Sequence, residues 1–164
     1  VFYDTGRFAA IALFCMGTAS AFGWTLAYFK IPAALIGVVQ TLDLGVVEMG
    51  LAVAIAFLII GCFIDAIPAI IIMGTVLYPV TLEVGMHPIH FAMIGIISLA
   101  FGLITPPYGL CLLISCAIAK IPVKAALRDV GLILLPMLAI LALVVFIPAL
   151  SLWLPRLMMP QFVN

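Results

Sequence analysis

Charged residues divide this chain into long apolar segments, and the length of those segments limits what it can fold into. The segment 8–29 carries no charge, and 44–82 carries only Glu48 and Asp65. A helix needs about 20 mainly apolar residues to cross the hydrocarbon core of a bilayer. The chain is 68% hydrophobic and 7% charged, whereas a soluble domain carries about 25% charged residues. The pattern therefore excludes a soluble domain and predicts an all-α integral membrane protein in a lipid bilayer.

The charge balance excludes two further classes of protein. Six Lys and Arg residues balance six Asp and Glu residues. Intrinsic disorder requires low hydrophobicity and high net charge, and nucleic acid is bound through an excess of basic residues. We therefore expect neither a disordered chain nor a nucleic-acid partner.

Three segments predict simple elements. The segment 8–29 predicts one transmembrane span. The segment 31–43 is too short to span and has Pro32 in its first turn, where proline is well tolerated. It predicts a helix along the membrane interface. A charged loop at 120–129 is expected to precede the last span, 130–155.

The segment 44–82 predicts two helices that meet at 61–68. Gly61 and Pro68 weaken a helix there, and Asp65 places a charge at the centre of the segment. Two shapes fit this pattern: a pair of full spans with a buried bend, or a re-entrant hairpin that enters and leaves on one side. Each half is short for a full span, which favours the hairpin.

The segment 88–119 predicts a broken transmembrane helix. Its middle, 102–109, contains Pro106 and Pro107 between two glycines. The two prolines remove two backbone donors, and each disfavours helix at the preceding residue. We expect two half-helices with an extended joint, although a simple structural kink is the alternative.

The basic residues predict the orientation of the chain. Lys120, Lys124 and Arg128 form the only strongly basic region. Cytoplasmic loops carry an excess of Lys and Arg, so this region is expected inside the cell. Counting the spans back places the turn 83–88 outside and Arg7 inside.

The two breaks are the candidate binding site. Lipid cannot satisfy freed backbone groups, so a break survives only where it is buried or lines a watery cavity. A charge such as Asp65 at the membrane centre costs about 2.5–3.5 kcal/mol, and a bound cation would offset that cost. Unwound carbonyls near a carboxylate coordinate Na⁺ in many secondary transporters. The predicted Na⁺-binding residues are Gly61, Asp65, Gly102, Thr105 and Pro106.

The second half-helix of each unit is the predicted substrate contact, because half-helix N-termini face anionic substrates. The predicted substrate-binding residues are Ala66, Pro68, Pro107, Tyr108 and Gly109. A structural alternative stays open for Asp65, which is well placed to cap the second half-helix. His87 and His90 lie near one boundary and are interpreted as surface or interfacial residues.

Five stretches, in this order, resemble the C-terminal part of the large membrane subunit of TRAP (tripartite ATP-independent periplasmic) transporters, of the DctM/SiaM type. They are GCFIDAIPA at 61–69, YPV at 78–80, GMHPIHF at 85–91, GLITPPYGL at 102–110 and LSLWLP at 150–155. The similarity extends over almost the whole chain.

The resemblance implies a multi-pass protein of the bacterial inner membrane that imports an organic acid, such as a C4-dicarboxylate or sialic acid, driven by Na⁺. It implies two partners, a small four-helix membrane subunit and a periplasmic substrate-binding protein. It also implies half of an elevator-type ion-transporter fold. In that fold 1–30 forms a scaffold helix, 31–43 forms an arm, and 44–119 forms transport-domain structure with a hairpin at 44–82 and a broken helix at 88–119. The region 120–164 forms a cytoplasmic loop and the final scaffold helix.

The resemblance also implies that the family's first inverted repeat is missing from this sequence, so the chain is expected to be one part of a transporter.

The main alternative is a non-transporting structural or anchor subunit of a membrane complex, in which the breaks are packing kinks. A membrane enzyme is the weakest hypothesis, because it needs paired histidines within spans or a nucleophile with a base. We therefore expect no enzymatic activity.

Overall fold

The computed structural model describes residues 2–42, 45–106 and 109–158, and the regular structure in these ranges is entirely helical. This confirms the predicted all-α class. The helices are α1 (Phe2–Tyr28), α2 (Ile31–Leu42), α3 (Val46–Phe63), α4 (Ala66–Glu83), α5 (Pro88–Gly102), α6 (Leu110–Ala119), α7 (Val123–Phe146) and α8 (Pro148–Met158).

Four of the described helices, α1, α3, α4 and α7, are long and apolar enough to cross a membrane. Large apolar side chains also remain exposed along α1, where Phe14 is 75% exposed and Trp24 is 69% exposed. Contiguous exposure of this kind is costly in water, whereas lipid covers it without cost. The length of these helices and their exposed apolar surface together fit an integral membrane protein.

The first two helices meet at a tight turn. Helix α1 begins several residues before the predicted span and includes Arg7. Lys30 adopts a left-handed conformation with φ of 56°, which turns the chain between α1 and α2. Helix α2 nearly coincides with the predicted arm at 31–43. Its position along the membrane interface stays a prediction.

Helices α3 and α4 fold back on each other around Ile64 and Asp65. Phe57 of α3 and Gly74 of α4 line the same cavity of about 110 Å³. In one continuous helix these two residues would be about 25 Å apart. Near the other end of α3, the methyl group of Met86 lies 3.5 Å from an ideal Cβ at Gly50. The start of α3 therefore lies beside the end of α4.

The depth of this pair in the membrane is a separate question. Each helix has 18 residues and is about 27 Å long, close to the ~30 Å of the hydrocarbon core. The folded-back shape suits both a re-entrant hairpin and two full spans, and the re-entrant form stays a prediction.

Helix α5 runs parallel to α3 along the core. An ideal Cβ at Gly95 would lie 3.2 Å from the ring of Phe57, and one at Gly61 would lie 3.1 Å from the carbonyl oxygen of Leu99. The ring of Phe91 extends this packing toward α4, because its centroid lies 5.9 Å from that of Phe57 and 5.8 Å from that of Tyr78. The broken end of α5 consequently lies at the same end of the core as the tip of the α3–α4 pair.

The C-terminal region differs from the prediction in two places. Helix α7 begins at Val123, after Pro122, so most of the predicted charged loop at 120–129 is helical. The predicted single span at 130–155 is interrupted at Ile147, which has φ of −120° and ψ of 84°. Both differences have local causes: proline is well suited to the start of a helix, and Pro148 disfavours helix at the residue before it.

Candidate ion site at two helix breaks

Two glycines bring the helix breaks together. An ideal Cβ at Gly102 would lie 2.7 Å from the carbonyl oxygen of Leu58 and 2.8 Å from the Cα of Gly61. Both glycines are buried. Only residues without a side chain allow backbones to approach this closely. The crossing of α3 and α5 therefore lies immediately before both breaks, and it unites two of the predicted ion-site residues.

The break between α5 and α6 is a compact loop held by backbone hydrogen bonds. The amide of Thr105 donates to the carbonyl oxygens of Phe101, at 3.1 Å, and Gly102, at 3.0 Å. The amide of Cys111 donates across the break to the carbonyl oxygen of Leu103 at 3.1 Å. The first turn of α6 thus folds back toward the end of α5, and the predicted discontinuity is a defined loop.

Gly109 closes this loop in a conformation that favours glycine. It is buried, and its φ of 40° and ψ of 79° lie in the left-handed region. An ideal Cβ would lie 2.9 Å from the carbonyl oxygen of Thr105. Glycine at this position therefore permits a close backbone approach, and the substrate-binding role of Gly109 stays a prediction. Pro107 and Tyr108, the other predicted substrate residues in this stretch, lie outside the described residues.

We expect Gly109→Ala to destabilise the break specifically. A left-handed conformation costs a non-glycine residue roughly 1–2 kcal/mol, and the contact with the Thr105 carbonyl adds overpacking of about 1–3 kcal/mol. The purified complete permease should show a lower apparent melting temperature. Gly131→Ala in α7 is the matched control, because nothing lies within 4 Å of its ideal Cβ. Equal melting temperatures for the two variants would contradict the role of Gly109 in closing the loop between α5 and α6.

The two breaks also touch through Cys62, which the sequence did not single out. Its thiol lies 3.2 Å from the carbonyl oxygen of Leu58 and 4.0 Å from that of Pro106. The side chain is buried. Cys62 therefore joins the end of α3 to the loop after α5. The position of Cys62 directly after Gly61 was the one sequence feature that could have indicated this contact. Because the surrounding residues are apolar, the sequence suggested only an ordinary buried cysteine.

Asp65 lies at the tip of the α3–α4 pair with its side chain exposed. It occupies the N-cap position of α4, with φ of −63° and ψ of 155°, and its side chain makes no capping hydrogen bond. The structural alternative is thus right about the position of Asp65 and wrong about the capping bond. Because α4 does not use the carboxylate, its oxygens remain available to another group.

The other two predicted residues at this tip have different surroundings. Ala66 is the first residue of α4 and is half-buried. Pro68 is buried and lines a cavity with Cys15 and Thr18 of α1. Pro68 therefore faces α1, and its substrate-binding role stays a prediction.

The groups at the two breaks suit a hard cation such as Na⁺. The last carbonyls of a helix have no intrahelical partner, and this applies to the end of α3 at Gly61. The Thr105 hydroxyl donates to the Phe101 carbonyl oxygen at 2.6 Å, which leaves its own lone pairs free. Together with the Asp65 carboxylate these are oxygen ligands, the type that hard cations prefer.

The two histidines differ in environment, and the prediction for one of them is wrong. His87 is half-buried and caps α5, because its Nδ1 accepts a hydrogen bond from the amide of Ile89 at 3.2 Å. His90 is 1% exposed, which contradicts a surface position. Its Nδ1 lies 3.2 Å from Oγ of Ser151. Helix α8 covers His90, and so distant a partner could not be predicted from the local sequence.

Fold and site together fit an integral membrane protein with two discontinuous helical units whose breaks meet. The chain belongs to the DctM component family of tripartite ATP-independent periplasmic transporters, whose family model matches residues 1–150. The resemblance recognised in the sequence is thereby confirmed.

Curated relatives agree with this family. The chain is 33% identical over 156 residues to the C4-dicarboxylate TRAP transporter large permease protein DctM of Pseudomonas aeruginosa. The matched region covers 95% of this chain and 36% of that protein. It is 32% identical over 149 residues to the sialic acid TRAP transporter large permease protein SiaM of Vibrio cholerae, and this match covers 91% of this chain and 35% of that protein. The chain thus spans about a third of the length of these relatives. No solved structure matches the chain.

Proposed function

We propose that this chain forms part of a Na⁺-coupled secondary transporter that imports an organic acid by an elevator mechanism. The observation that carries the proposal is the crossing at Gly61 and Gly102, which unites two helix breaks within apolar helices. Broken helices of this kind are tolerated in membranes where they line a binding cavity. The family membership supports transport as the role of these breaks.

Within this proposal the described residues have distinct tasks. The carbonyl groups of Gly61, Gly102 and Pro106, the Thr105 hydroxyl and the Asp65 carboxylate would hold Na⁺. The bound ion supplies positive charge that offsets the central carboxylate and favours an anion nearby. The amide of Ala66, in the first turn of α4, has no intrahelical partner and would offer a hydrogen bond and a positive dipole end to that anion.

The proposed substrate and partners follow from the relatives. Three of these relatives are named for C4-dicarboxylate, sialic acid and isethionate, which are organic anions and match an anion site at half-helix N-termini. We propose a periplasmic substrate-binding protein and a small four-helix membrane subunit as partners. The combined name DctMQ of the Oleidesulfovibrio alaskensis relative supports the second partner. The proposed location is the bacterial inner membrane, with Lys120, Lys124 and Arg128 on the cytoplasmic side.

The elevator movement is supported by the interlocked backbones. Because the α3 backbone touches the α5 backbone at Gly102, these helices cannot slide past each other without a clash. The α3–α4 hairpin and the α5–α6 broken helix would therefore move together as transport-domain structure. The site would cross the membrane intact with its bound ion and substrate.

Uptake by the complete permease with both partners in proteoliposomes tests this function. We expect accumulation of a labelled C4-dicarboxylate or sialic acid under an inward Na⁺ gradient and none when K⁺ replaces Na⁺. Replacing Pro106 and Pro107 together with alanine should remove most Na⁺-dependent uptake, because a continuous helix would recover the freed backbone groups.

Pro136→Ala is the matched control, because Pro136 lies inside α7 and its removal should leave the Na⁺ dependence unchanged. A structural anchor subunit predicts a different pattern. In that case the double alanine variant loses stability but shows the same ion dependence as the parent protein.

A further inference from the structure

The first half of α7 carries two cations on one face. Lys124 and Arg128 are both exposed. They lie four residues apart, so they are neighbours on the same side of the helix. Asp129 is adjacent in sequence, but on a helix it points about 100° away from Arg128. Within the described residues, neither cation has an ion-pair partner. Both positive charges are therefore available to an anion that binds from outside.

An exposed apolar stripe continues this face toward the middle of α7. Leu132 and Leu135 follow Arg128 by four and seven residues, and they are 63% and 67% exposed. Nothing lies within 4 Å of an ideal Cβ at Gly131, so the surface beside this glycine is open. The buried residues of α7 begin only at Leu141. The first half of the helix therefore presents charges followed by uncovered hydrocarbon.

The length of α6 places the charges near the membrane surface. Helix α6 follows the second break and has 10 residues, so it is about 15 Å long. That length is half of the ~30 Å hydrocarbon core. With the break at the membrane centre, the end of α6 and the start of α7 lie at the level of the lipid headgroups. Lys120, the C-cap residue of α6, is also exposed and adds a third positive charge there.

These charges do not stabilise α7 itself. The macrodipole makes the N-terminus of a helix positive, so acidic residues are favourable in the first turn and cations are not. Helix α7 has no acidic residue in its first turn, which contains Lys124 instead. An anion bound beside Lys124 and Arg128 would offset this repulsion.

The order of charges and leucines matches one kind of partner. An anionic phospholipid has its phosphate at the membrane surface and its acyl chains in the hydrocarbon, and basic residues near the surface attract it. A protein partner fits this face less well, because lysine is depleted from protein–protein interfaces. Free phosphate would pair with the charges but leave the leucines uncovered.

We propose that the first half of α7 is a binding surface for an anionic phospholipid. The phosphate lies between Lys124 and Arg128, where the guanidinium offers two parallel hydrogen bonds. An acyl chain follows Leu132 and Leu135 past the open surface at Gly131. The proposal uses the proposed depth of the break but not Na⁺ coupling. It gives the basic residues a ligand, in addition to their predicted role in orientation.

Lipid binding to the complete permease with its membrane subunit tests this surface. The detergent-purified complex is titrated with phosphatidylglycerol, or with phosphatidylcholine of the same acyl chains, which has no net charge. Native mass spectrometry measures the bound lipid. Lys124→Gln with Arg128→Gln should weaken phosphatidylglycerol binding by about 25-fold, about fivefold for each charge removed. Binding of phosphatidylcholine should be unchanged, and each single variant should show the fivefold loss.

Two controls make the test specific. Arg156→Gln removes an exposed cation from the last turn of α8, outside the proposed surface, and should keep the parent's affinity. Lys124→Arg keeps the charge and should also retain binding. Glycerol 3-phosphate, the soluble part of the headgroup, should bind more weakly than phosphatidylglycerol because it cannot cover the leucines.

The outcomes separate this inference from its alternatives. Equal phosphatidylglycerol affinity of the parent and the double variant overturns the proposal, as expected if the charges act only in orientation or if protein covers this face. Glycerol 3-phosphate binding as tight as that of the lipid would indicate a phosphate site and would also overturn it. Uptake is not part of this measurement, so failure of the proposed Na⁺ coupling leaves the result unaffected.

Discussion

Alanine at position 102 is expected to prevent most of the permease from reaching a stable fold. The added methyl group would lie 2.7 Å from the Leu58 carbonyl oxygen and 2.8 Å from the Gly61 Cα, and both are backbone atoms. Backbone cannot rotate away as a flexible side chain can, so α3 and α5 would have to separate. We expect a loss at or above the upper end of the usual overpacking cost, about 3 kcal/mol. Fluorescence-detected size exclusion and thermal unfolding in detergent measure this loss.

Gly74→Ala is the matched control for this prediction. Nothing lies within 4 Å of an ideal Cβ at Gly74, and alanine favours helix over glycine by up to about 1 kcal/mol. This variant should be as stable as the parent or more so. Gly61→Ala should fall between the two, because its nearest contact is 3.1 Å. If the Gly102→Ala protein has the same melting temperature as the Gly74→Ala protein, the crossing of α3 and α5 is looser than in the structure.

The breaks could be predicted because their causes are local. Gly61, Pro68 and the proline doublet act on the backbone within a few residues, so the sequence places both discontinuities correctly. The α3 helix ends at Phe63 and α4 begins at Ala66, while α5 ends at Gly102 and α6 begins at Leu110. The all-α membrane class follows from segment length in the same way.

The contacts between distant segments could not be predicted. Gly61 and Gly102 were predicted to share one ion site, but the direct contact of their backbones depends on the register between α3 and α5, which no local pattern specifies. His90 was interpreted as a surface or interfacial residue because it lies near one boundary of the apolar segment, and its partner, Ser151, is 61 positions away. Likewise, the charges at 120–129 predicted a loop, although charged side chains are compatible with a helix that extends into water.

Asp65→Asn is expected to lower the apparent Na⁺ affinity of uptake strongly while leaving the fold intact. The amide has nearly the same shape as the carboxylate, and the carboxylate makes no capping bond that the fold would lose. Interactions with a charged group contribute about 1.5–3 kcal/mol, so the apparent Na⁺ affinity should fall by roughly tenfold to a hundredfold. Uptake measured over a range of Na⁺ concentrations, with Na⁺-dependent thermal stabilisation of the purified protein, gives that affinity.

Two further variants make this test specific. Glu83→Gln removes a charge from the opposite end of the same helix, where the side chain is also exposed, and should leave Na⁺ affinity unchanged. Asp65→Glu keeps the charge and should retain part of the dependence. An Asp65→Asn protein with the parent's Na⁺ affinity would mean that the exposed carboxylate serves no ion. The breaks would then have to bind through neutral oxygens alone or act only as structural joints, and the behaviour of the Pro106 and Pro107 double variant would decide between these two.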